Sequence, residues 1–463
     1  MALKNFRKIM SKNPATGEIY REFDFIGNQE LLAKIDKAHE AFLHQKTLDN
    51  NQRVEKIERL AGLLERNATK YGKLITMEMG KPINLSVAEV KKCASHCRHY
   101  AENINKYLSP DRVKTDAKKS MVNYEPLGVI YQIVPFNFPI WLTIKGGLPS
   151  ILLGNTIIHR NSDTTPMCGI AMEELFNEAG YESGEFQNVF TSPDQLDLIM
   201  SNKKVKGVSF TGSTQTGAII ASTAGKYIKK AVMELGGSDP FIVLPDADLE
   251  VATNLAVNGR LSNSGQVCIA SKRFIVDERI YEPFKEKLVE KCEAYRIGSP
   301  EDPNTQMGPM ARPDLLENIE KQIKEAIKAG GKLIYGGERI NEGPLAKGNY
   351  IKPAIIEVEE GNPILIQETF GPVFALVKAK GEKDSIRIAN ETDYGLGAVI
   401  VTRDVDKGEK LAKEIETGTV FINENTRTDS RLPSGGVKNS GFGRENGDYG
   451  VKEFANVKTV WIK

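Results

Sequence analysis

The sequence predicts an α/β protein built from two doubly wound domains and a small β arm for oligomerisation. Three observations carry this prediction: a length of 463 residues, strand-like runs that alternate with helical segments, and a restart of that alternation near residue 240. Single hydrophobic cores stop growing near ~250 to 300 residues, so a chain of this length needs more than one packed unit. Alternating strands and helices favour right-handed βαβ units in mostly parallel sheets.

The first hundred residues are predicted to be mostly helical. Apolar residues recur at helical spacing from Leu31 to Phe42, with Asn28 placed to cap that helix, and the same spacing recurs over 54–64 and about 85–107. Because each of these helices has an apolar face, we expect them to pack against a sheet formed by later residues.

Two series of short β-rich runs follow, each interrupted by helical segments. The first series comprises the runs "LGVIYQIV", "NTIIHR", "VKGVSF" and "KAVMEL", and the second comprises "PFIVL", "RFIVD", "GAVIVT" and "TVFIN". We expect one mostly parallel sheet from each series.

Two further segments have the alternation of half-buried strands but lie outside both series. They are "KTDAKKSMVNYEPLG", at 114–128, and the terminal "FANVKTVWIK". We expect them to form an extension or an edge that pairs between subunits.

Composition indicates an ordinary enzyme-like chain, with 40% hydrophobic and 27% charged residues. The 62 basic and 61 acidic side chains leave a net charge of +1, so no global field draws the protein to nucleic acid or anionic membranes. No apolar run reaches the ~20 residues of a membrane span, and the N-terminus lacks the apolar segment of a signal peptide. Five scattered cysteines favour a reducing compartment, so we expect a cytoplasmic protein.

The run "NSGQVCIA" places Cys268 among small and polar residues instead of in an apolar run. A free cysteine usually behaves as a small buried hydrophobe, and packing is the ordinary expectation for any one of them. Gly265 allows close backbone approach, and the polar neighbours are unlike those of a packed strand. Cys268 is therefore a candidate nucleophile.

The run "SFTGSTQTG" ends a predicted strand and opens a helix near Thr214. Backbone N–H groups at such a helix start bind phosphate, helped by the helix dipole. The same turn is also ordinary capping chemistry, and it is not the GxGxxG fingerprint of dinucleotide sites.

Two other polar residues follow predicted strands. Glu234 closes the strand in "VMELGGSDP", where a carboxylate serves as a general base or merely caps the next turn. Asn137 lies between prolines and aromatic residues in "VPFNFP", a run that either supplies an oxyanion donor or forms a rigid turn.

Taken together, these motifs resemble those of the aldehyde dehydrogenases over essentially the full length of the chain, and most closely those of the short bacterial-type succinate semialdehyde dehydrogenases. The matching runs, in the family's order, are "EMGKP", "PFNFP", "GNTIIHRNSD", "FTGSTQTG", "MELGG", "NSGQVC", "QETFGP" and "GGVKNSGFGRE". The resemblance implies two Rossmann-like domains with an arm. It assigns 1–113 and 134–235 to a cofactor-binding domain, 236–430 to a catalytic domain, and 114–133 with 447–463 to the arm.

The resemblance also implies catalytic roles. Cys268 is the nucleophile, Glu234 activates the water that releases the product, and Asn137 with the Cys268 backbone N–H forms the oxyanion site. The implied reaction oxidises an aldehyde to a thioester and hydrolyses it. Because Glu234 is present, we expect a free carboxylic acid and not a CoA thioester.

The implied cofactor is NAD or NADP. The residues expected to contact it are Val134, Phe136, Arg160, Ser162, Asp163, Gly212, Ser213, Leu235, Glu368 and Phe370. Family members usually carry Lys-Pro-Ser-Glu where this chain has 160–163. Arg160 favours the 2′-phosphate of NADP whereas Asp163 opposes it, and the balance gives a slight preference for NAD.

Succinate semialdehyde is the expected substrate, with another small aldehyde, aliphatic or glyceraldehyde 3-phosphate, as the alternative. A carboxylated aldehyde needs a cation, and Lys145 occupies the position where semialdehyde enzymes of the family tend to carry Arg. The cation sometimes found before the nucleophile is replaced by Ser262, so Arg431 is a second candidate. Both cations are equally consistent with structural or solvated roles. A homo-oligomer is expected from the arm.

Three other interpretations compete. Cys93, His96 and Cys97 fall on one helical face, but without a fourth ligand they are expected to be a helix surface and no metal is assigned. A cysteine hydrolase needs a histidine base, and all five histidines precede Cys268 without a suitable motif. A non-catalytic binding protein on the same fold is disfavoured because Cys268, Glu234, Asn137 and Glu368 are all present.

Overall fold

The computed structural model describes residues 8–463. Within that range the chain forms fifteen α-helices: α1 Asn28–Gln45, α2 Asn50–Arg66, α3 Ala68–Met79, α4 Ile83–Leu108, α5 Trp141–Leu153, α6 Pro166–Glu178, α7 Leu196–Ser201, α8 Thr214–Lys226, α9 Leu249–Leu261, α10 Tyr281–Glu293, α11 Pro313–Lys328, α12 Pro363–Ile366, α13 Glu382–Asn390, α14 Val405–Ala412 and α15 Gly447–Glu453. Short 3₁₀ turns occupy Pro193–Gln195, Ser262–Gly265 and Gly343–Leu345.

The strands of the same range are β1 Ile9–Lys12, β2 Ile19–Phe23, β3 Asp111–Arg112, β4 Lys119–Pro126, β5 Val129–Ile133, β6 Thr156–Arg160, β7 Phe186–Asn188, β8 Val205–Thr211, β9 Lys230–Glu234, β10 Asp239–Val243, β11 Ser271–Asp277, β12 Lys332–Tyr335, β13 Ala354–Glu357, β14 Val373–Ala379, β15 Tyr394–Gly395, β16 Gly397–Val401, β17 Thr419–Ile422, β18 Val437–Lys438, β19 Gly441–Phe442 and β20 Ala455–Ile462.

Two large sheets confirm the predicted fold class. The first has the order β19-β9-β8-β5-β6-β7, and the second the order β12-β13-β14-β11-β10-β16-β17. Both are parallel except at one edge strand, β19 in the first sheet and β12 in the second. In the first sheet the chain runs outward from β5 through β6 to β7 and then returns to β8 on the other side. That reversal makes the gap between β5 and β8 a topological switch point, where α/β sheets bind ligands.

Helices cover the first sheet as expected, because their apolar stripes face its strands. Leu31 and Ile35 of α1 are fully buried in one core, and α2 to α6 share a second core that includes Ile130 and Ile157 of the sheet. Asn28 is not the helix cap that we predicted. Gly27 is the N-cap of α1, and Asn28 accepts a hydrogen bond from the Gln195 amide at 2.8 Å instead.

The arm is a three-stranded antiparallel sheet of β3, β4 and β20. All eight residues of β4 pair with β20, from Lys119 opposite Ile462 to Pro126 opposite Ala455. The predicted bounds of the arm were too wide. Residues 129–133 form a buried strand of the first sheet, because they are an unbroken apolar run that pairs with β6 and β8, and residues 447–453 are helical.

The predicted domain ranges stay a prediction, and β19 of the first sheet, at Gly441–Phe442, lies outside all of them. Strands β6 to β9 lie within 134–235, and the second sheet lies within 236–430. The first seven residues of the range 1–113 lie outside the described residues. No helix within residues 8–463 combines the length and the apolar character needed to cross a membrane.

Candidate active site

A cavity of about 350 Å³ brings the predicted catalytic residues together. Cys268, Glu234 and Asn137 all line it, although they belong to three different parts of the chain. Glu234 ends β9, Asn137 follows β5, and Cys268 lies between α9 and β11. The rest of the wall comes mainly from α4, α5 and the segment after β17.

The unusual composition around Cys268 is explained by its backbone. Asn263, Ser264 and Gly265 all have positive φ, at 52°, 58° and 72°, so three successive residues occupy the left-handed region. Such strain persists only where the surroundings hold it, and it is frequent at functional sites. The Ser264 hydroxyl donates to the Gly308 carbonyl at 2.8 Å. A Cβ on Gly265 would lie 2.3 Å from the carbonyl oxygen of Gly371, so only glycine fits.

Cys268 is the partly exposed cysteine of the chain, whereas the other four are buried. Burial raises the pKa of its thiol to about 11; the charge of Lys145 opposes that rise and the charge of Glu234 adds to it. Buried Lys272, which our sequence analysis missed, also favours the thiolate and donates to the Cys268 carbonyl at 2.7 Å. Its position four residues after the nucleophile was the only signal for this role.

Asn137 is held beside the nucleophile by reciprocal contacts. Its side-chain N–H donates to the Gln266 carbonyl at 2.9 Å, and its own carbonyl accepts from the Asn263 amide at 3.0 Å. The second amide hydrogen of Asn137 remains for a ligand. The Cys268 backbone N–H makes no hydrogen bond within residues 8–463. These two donors are the ones that we predicted for an oxyanion.

Lys145 lies deep in the cavity between two carboxylates. Its Nζ is 3.4 Å from Glu234 Oε2 and 2.7 Å from Glu445 Oε2, and all three side chains are over nine-tenths buried. Burial alone lowers the pKa of Lys145, but the two carboxylates outweigh burial and raise it above its ordinary value. Burial raises the pKa of Glu445, against the opposing charge of Lys145. Strand β19 pairs with β9 and so brings Glu445 to this site.

Our sequence analysis assigned no role to Glu445, although the run that contains it was among the matching motifs. The signal for its role is in the pairing of Gly441 with Glu234, which cannot be read from local sequence. Glu234 Oε1 has no hydrogen-bond partner within residues 8–463. An unpartnered buried carboxylate oxygen suits a group that accepts a proton from water.

The two cations predicted to bind substrate have different surroundings. Lys145 lines the cavity but is paired with carboxylates, as described above. Arg431 is 74% exposed at its side chain, makes a two-point ion pair with Asp429 at 2.6 and 2.8 Å, and is not part of the cavity wall. Their roles in substrate binding stay predictions.

The cofactor residues of the first sheet gather where its parallel strands end. Val134 and Phe136 follow β5, Gly212 and Ser213 follow β8, and Leu235 follows β9. They therefore border the switch point of the sheet. Ser213 is the N-cap of α8 and accepts from the Thr216 N–H, so the capping interpretation of this turn is correct. The helix start nevertheless lies at the crevice, with its backbone donors toward the strand ends.

Glu368 and Phe370 reach the same crevice from the second sheet. Glu368 accepts a hydrogen bond from the Gly237 N–H at 3.2 Å, and the ring of Phe370 meets that of Phe136 edge to face, with centroids 6.1 Å apart. A Cβ on Gly236 would lie 2.3 Å from a Glu368 carboxylate oxygen, so a side chain there would displace that carboxylate. These contacts place Glu368 and Phe370 beside the ends of β9 and β5, and the residues gathered there suit a nicotinamide dinucleotide.

Arg160 ends β6, and Ser162 and Asp163 follow it, on the side of β5 away from β8. Arg160 donates to Asp163 at 2.7 Å, and its remaining N–H groups donate to the carbonyls of Thr191 and Asn161 at 3.0 and 2.9 Å. The guanidinium therefore neutralises Asp163. From the sequence we expected Arg160 to favour a 2′-phosphate and Asp163 to oppose it; in the structure the two charges pair with each other.

The cysteines and histidine of the alternative metal site are buried, and not on a helix surface as we expected. Cys93, His96 and Cys97 are at most 1% exposed, and His96 Nδ1 lies 2.7 Å from the Ser430 hydroxyl. Burial lowers the pKa of His96 to about 3. Across residues 8–463 no group of three or more His, Cys, Asp or Glu side chains has the arrangement of a metal site, and no histidine lines the cavity.

Known proteins are similar in sequence to this chain over almost its whole length. The Synechocystis protein named "Probable succinate-semialdehyde dehydrogenase [NADP(+)]" is 40% identical over 455 residues, covering 98% of this chain and 99% of the relative. The Escherichia coli "Succinate semialdehyde dehydrogenase [NAD(P)+] Sad" is 37% identical, covering 98% and 97%. These names do not support the slight preference for NAD.

Solved structures of related enzymes are also similar to this chain in fold. The crystal structure of succinic semialdehyde dehydrogenase from Streptococcus pyogenes, in complex with NADP+, superposes with a TM-score of 0.95 at 35% identity, covering 98% of this chain and 99% of that one. Residues 2–460 match the profile of the aldehyde dehydrogenase family. This chain therefore belongs to the aldehyde dehydrogenase family and has that family's fold.

Proposed function

We propose that this enzyme oxidises succinate semialdehyde to succinate, with NADP as the preferred hydride acceptor. The observation that carries the proposal is the convergence of Cys268, Glu234 and Asn137 on one cavity, together with a crevice at the switch point of the first sheet. A thiol, a carboxylate and an amide donor are the groups that thioester formation and hydrolysis require.

In the first half of the reaction, the Cys268 sulfur attacks the aldehyde carbon and forms a thiohemiacetal. The carbonyl oxygen becomes an oxyanion, which the Asn137 amide and the Cys268 backbone N–H stabilise. Because the pKa of the free thiol is about 11, the thiolate must be formed as the substrate binds or by loss of its proton to a nearby base. A nicotinamide dinucleotide held at the crevice would supply the hydride acceptor, and loss of hydride from the thiohemiacetal carbon would leave a thioester on Cys268.

In the second half, water attacks the thioester carbon. Glu234 accepts a proton from that water, the carbon–sulfur bond breaks, and the carboxylate product leaves with regeneration of the Cys268 thiolate. Lys145 reduces the negative charge of this buried site, because its ammonium group contacts both carboxylates. Removing Lys145 would leave the two buried carboxylates without their cation.

The substrate assignment rests on the relatives' printed names and on the character of the cavity. Phe138, Trp141 and Leu142 supply an apolar wall for a short carbon chain, and four cationic side chains also reach it. A four-carbon aldehyde with a carboxylate at its far end matches that combination. An uncharged aliphatic aldehyde or glyceraldehyde 3-phosphate is the alternative.

The preference for NADP rests on names and on one contact. The Synechocystis relative is named for NADP(+), and the Streptococcus pyogenes enzyme was crystallised with NADP+. In this chain Arg160 pairs with Asp163, which reduces the repulsion that a 2′-phosphate would meet at that carboxylate.

We also propose a homo-oligomer in the cytoplasm. The arm presents exposed apolar side chains on β20, among them Val457 and Trp461, at 58% and 52% exposure. Exposed apolar strands commonly mark an interface. The five free cysteines suit a reducing compartment.

Initial rates with a panel of aldehydes test the function. The panel is succinate semialdehyde, butanal and glyceraldehyde 3-phosphate, each with NAD and with NADP. We expect the highest kcat/KM for succinate semialdehyde with NADP. A higher kcat/KM for butanal would overturn the substrate assignment but not the assignment as an aldehyde dehydrogenase. A higher kcat/KM with NAD would overturn the proposed preference for NADP.

A further inference from the structure

Four cationic side chains line the cavity, and three of them are already paired with carboxylates. Lys81 contacts Glu89, Lys145 contacts Glu234 and Glu445, and Arg427 lies 3.6 Å from Glu424. The fourth is Lys92, from α4. Among residues 8–463 no carboxylate lies within 4 Å of its ammonium group, so Lys92 has no direct ion pair and only the more distant charges of Glu89 and Asp429 oppose its positive charge.

The surroundings of Lys92 hold its ammonium group in place. Its Nζ lies 4.1 Å from the centre of the Trp141 ring and donates to the Thr428 hydroxyl at 2.7 Å. Trp141 and Thr428 belong to different parts of the cavity wall, α5 and the segment after β17. A cation over an indole face is attracted by the ring and keeps its remaining donors free. Lys92 is exposed, so it lies where the cavity opens to solvent.

We propose that Lys92 determines the specificity of the enzyme for a carboxylated aldehyde, by binding the carboxylate at the far end of the substrate. This inference rests on the proposed function, and it assigns the recognition of charge to a residue that our sequence analysis did not single out. The Thr428 hydroxyl, which accepts from Lys92, still has its own hydrogen to donate to the same carboxylate. Lys92 and Thr428 thus form a two-donor site.

Electrostatics agrees with this assignment. Partial desolvation and the nearby charge of Lys145 lower the pKa of Lys92 to about 8. A lysine in that state lacks a counter-ion, and a bound carboxylate supplies one. Lys145, by contrast, already has two carboxylates, so a third anion beside it would meet net repulsion.

The inner lysine also connects the two ends of the cavity. The charge of Lys145 influences both the thiol of Cys268 and the ammonium group of Lys92. Lys92, Lys145 and Cys268 all line this one cavity. The nucleophile and the proposed carboxylate site therefore belong to the same cavity.

The test compares kcat/KM for succinate semialdehyde with that for butanal, which has the same four carbons and no carboxylate. Wild type, Lys92→Met, Lys92→Arg and Lys91→Met are measured together. Lys91 is exposed on the same helix but does not line the cavity, so Lys91→Met controls for a general change of charge.

We expect Lys92→Met to lower the ratio of the two kcat/KM values by about 10-fold, the size of one lost hydrogen bond to a charged group. The loss should come from KM for the semialdehyde, with butanal oxidation retained as evidence that the variant folds. Lys92→Arg should recover most of the ratio, and Lys91→Met should change it less than about two-fold.

The wild-type ratio and the variant ratio answer different questions. A wild type without preference for the semialdehyde would overturn the proposed substrate. A wild type with a strong preference that Lys92→Met leaves intact would overturn the role of Lys92 alone. Equal losses for both aldehydes in Lys92→Met would also overturn it, because they would indicate a structural role.

Discussion

The two ends of the cavity each carry a lysine, and the two lysines are in opposite states. At the inner end, Lys145 is buried, contacts two carboxylates, and has a raised pKa. At the outer end, Lys92 is exposed, lies against an indole ring without a carboxylate, and has a pKa lowered to about 8. Both residues are lysines that line the same cavity, so the opposite directions of their pKa shifts come from the groups around them.

This difference separates the chemistry from the recognition of substrate. A buried cation between carboxylates stabilises an arrangement of charges that the protein must keep whether or not substrate is present. An uncompensated cation at the opening has no internal partner and is available to an anion from solution. The predictions below test that separation, from the largest expected effect to the smallest.

The largest effect is expected at the inner end, from Cys268→Ala. Loss of the nucleophile should lower kcat by at least about 1000-fold with every aldehyde, because no other group in the cavity can form the thioester. Steady-state rates measure this. Cys292→Ala is the matched control, since Cys292 is buried in the core of the second sheet; comparable losses from the two substitutions would contradict the assignment.

The next effect concerns the stability of the inner end. Lys145→Met leaves Glu234 and Glu445 buried without their cation, which we expect to lower the free energy of unfolding by about 3 to 5 kcal/mol. Urea denaturation at neutral pH measures the change. Lys145→Arg should retain most of the stability, because the charge is kept. A loss below about 1 kcal/mol in Lys145→Met would show that the three charges are not coupled.

The reactivity of Cys268 should depend on pH in a direction set by its neighbours. The wild-type rate of alkylation by iodoacetamide should rise with pH toward the pKa of about 11. The carboxylate of Glu234 disfavours the thiolate, so Glu234→Gln should shift this profile to lower pH. Mass spectrometry of the Cys268 peptide gives the rates, with buried Cys292 as the internal reference. A shift to higher pH would contradict the electrostatic account.

The smallest effect is expected from Arg431→Ala. Arg431 is exposed and pairs with Asp429 outside the cavity wall, so its removal should change KM for succinate semialdehyde less than about two-fold and stability by less than about 0.5 kcal/mol. Steady-state kinetics checks this. A 10-fold rise in KM would instead support the role that the sequence suggested for Arg431.

Sequence patterns identified four strands of each large sheet, because those runs are apolar enough to indicate burial, but they missed β7 and β19 of the first sheet and β12, β13 and β14 of the second. The runs around Ile130, Ile157 and Val208 are apolar on both faces, as expected for strands covered by helices on each side, and they form neighbouring strands of the first sheet. The arm was less well defined. The resemblance extended the arm to residue 133, although the run "LGVIYQIV" already indicated a sheet strand there and Gly128, with a φ of 144°, separates β4 from β5.

The site was predictable where a motif and a strand end coincide, as at Glu234 and Asn137. The site was not predictable where a contacting residue comes from a part of the chain that is distant in sequence. Glu445 reaches Lys145 through the pairing of β19 with β9, and Thr428 reaches Lys92 across 336 residues. Lys92 lies in a helix beside several other charged residues, and only the tertiary structure distinguishes it from Lys91.

The most direct test of the comparison between the two lysines is one ratio measured in two variants. The ratio of kcat/KM for succinate semialdehyde to that for butanal does not depend on the fraction of active enzyme, so it remains valid if Lys145→Met is less stable. We predict that Lys92→Met lowers this ratio about 10-fold and that Lys145→Met lowers both rates while leaving the ratio within about two-fold of wild type. A ratio that falls in Lys145→Met and not in Lys92→Met would contradict the account and place substrate recognition at the inner lysine.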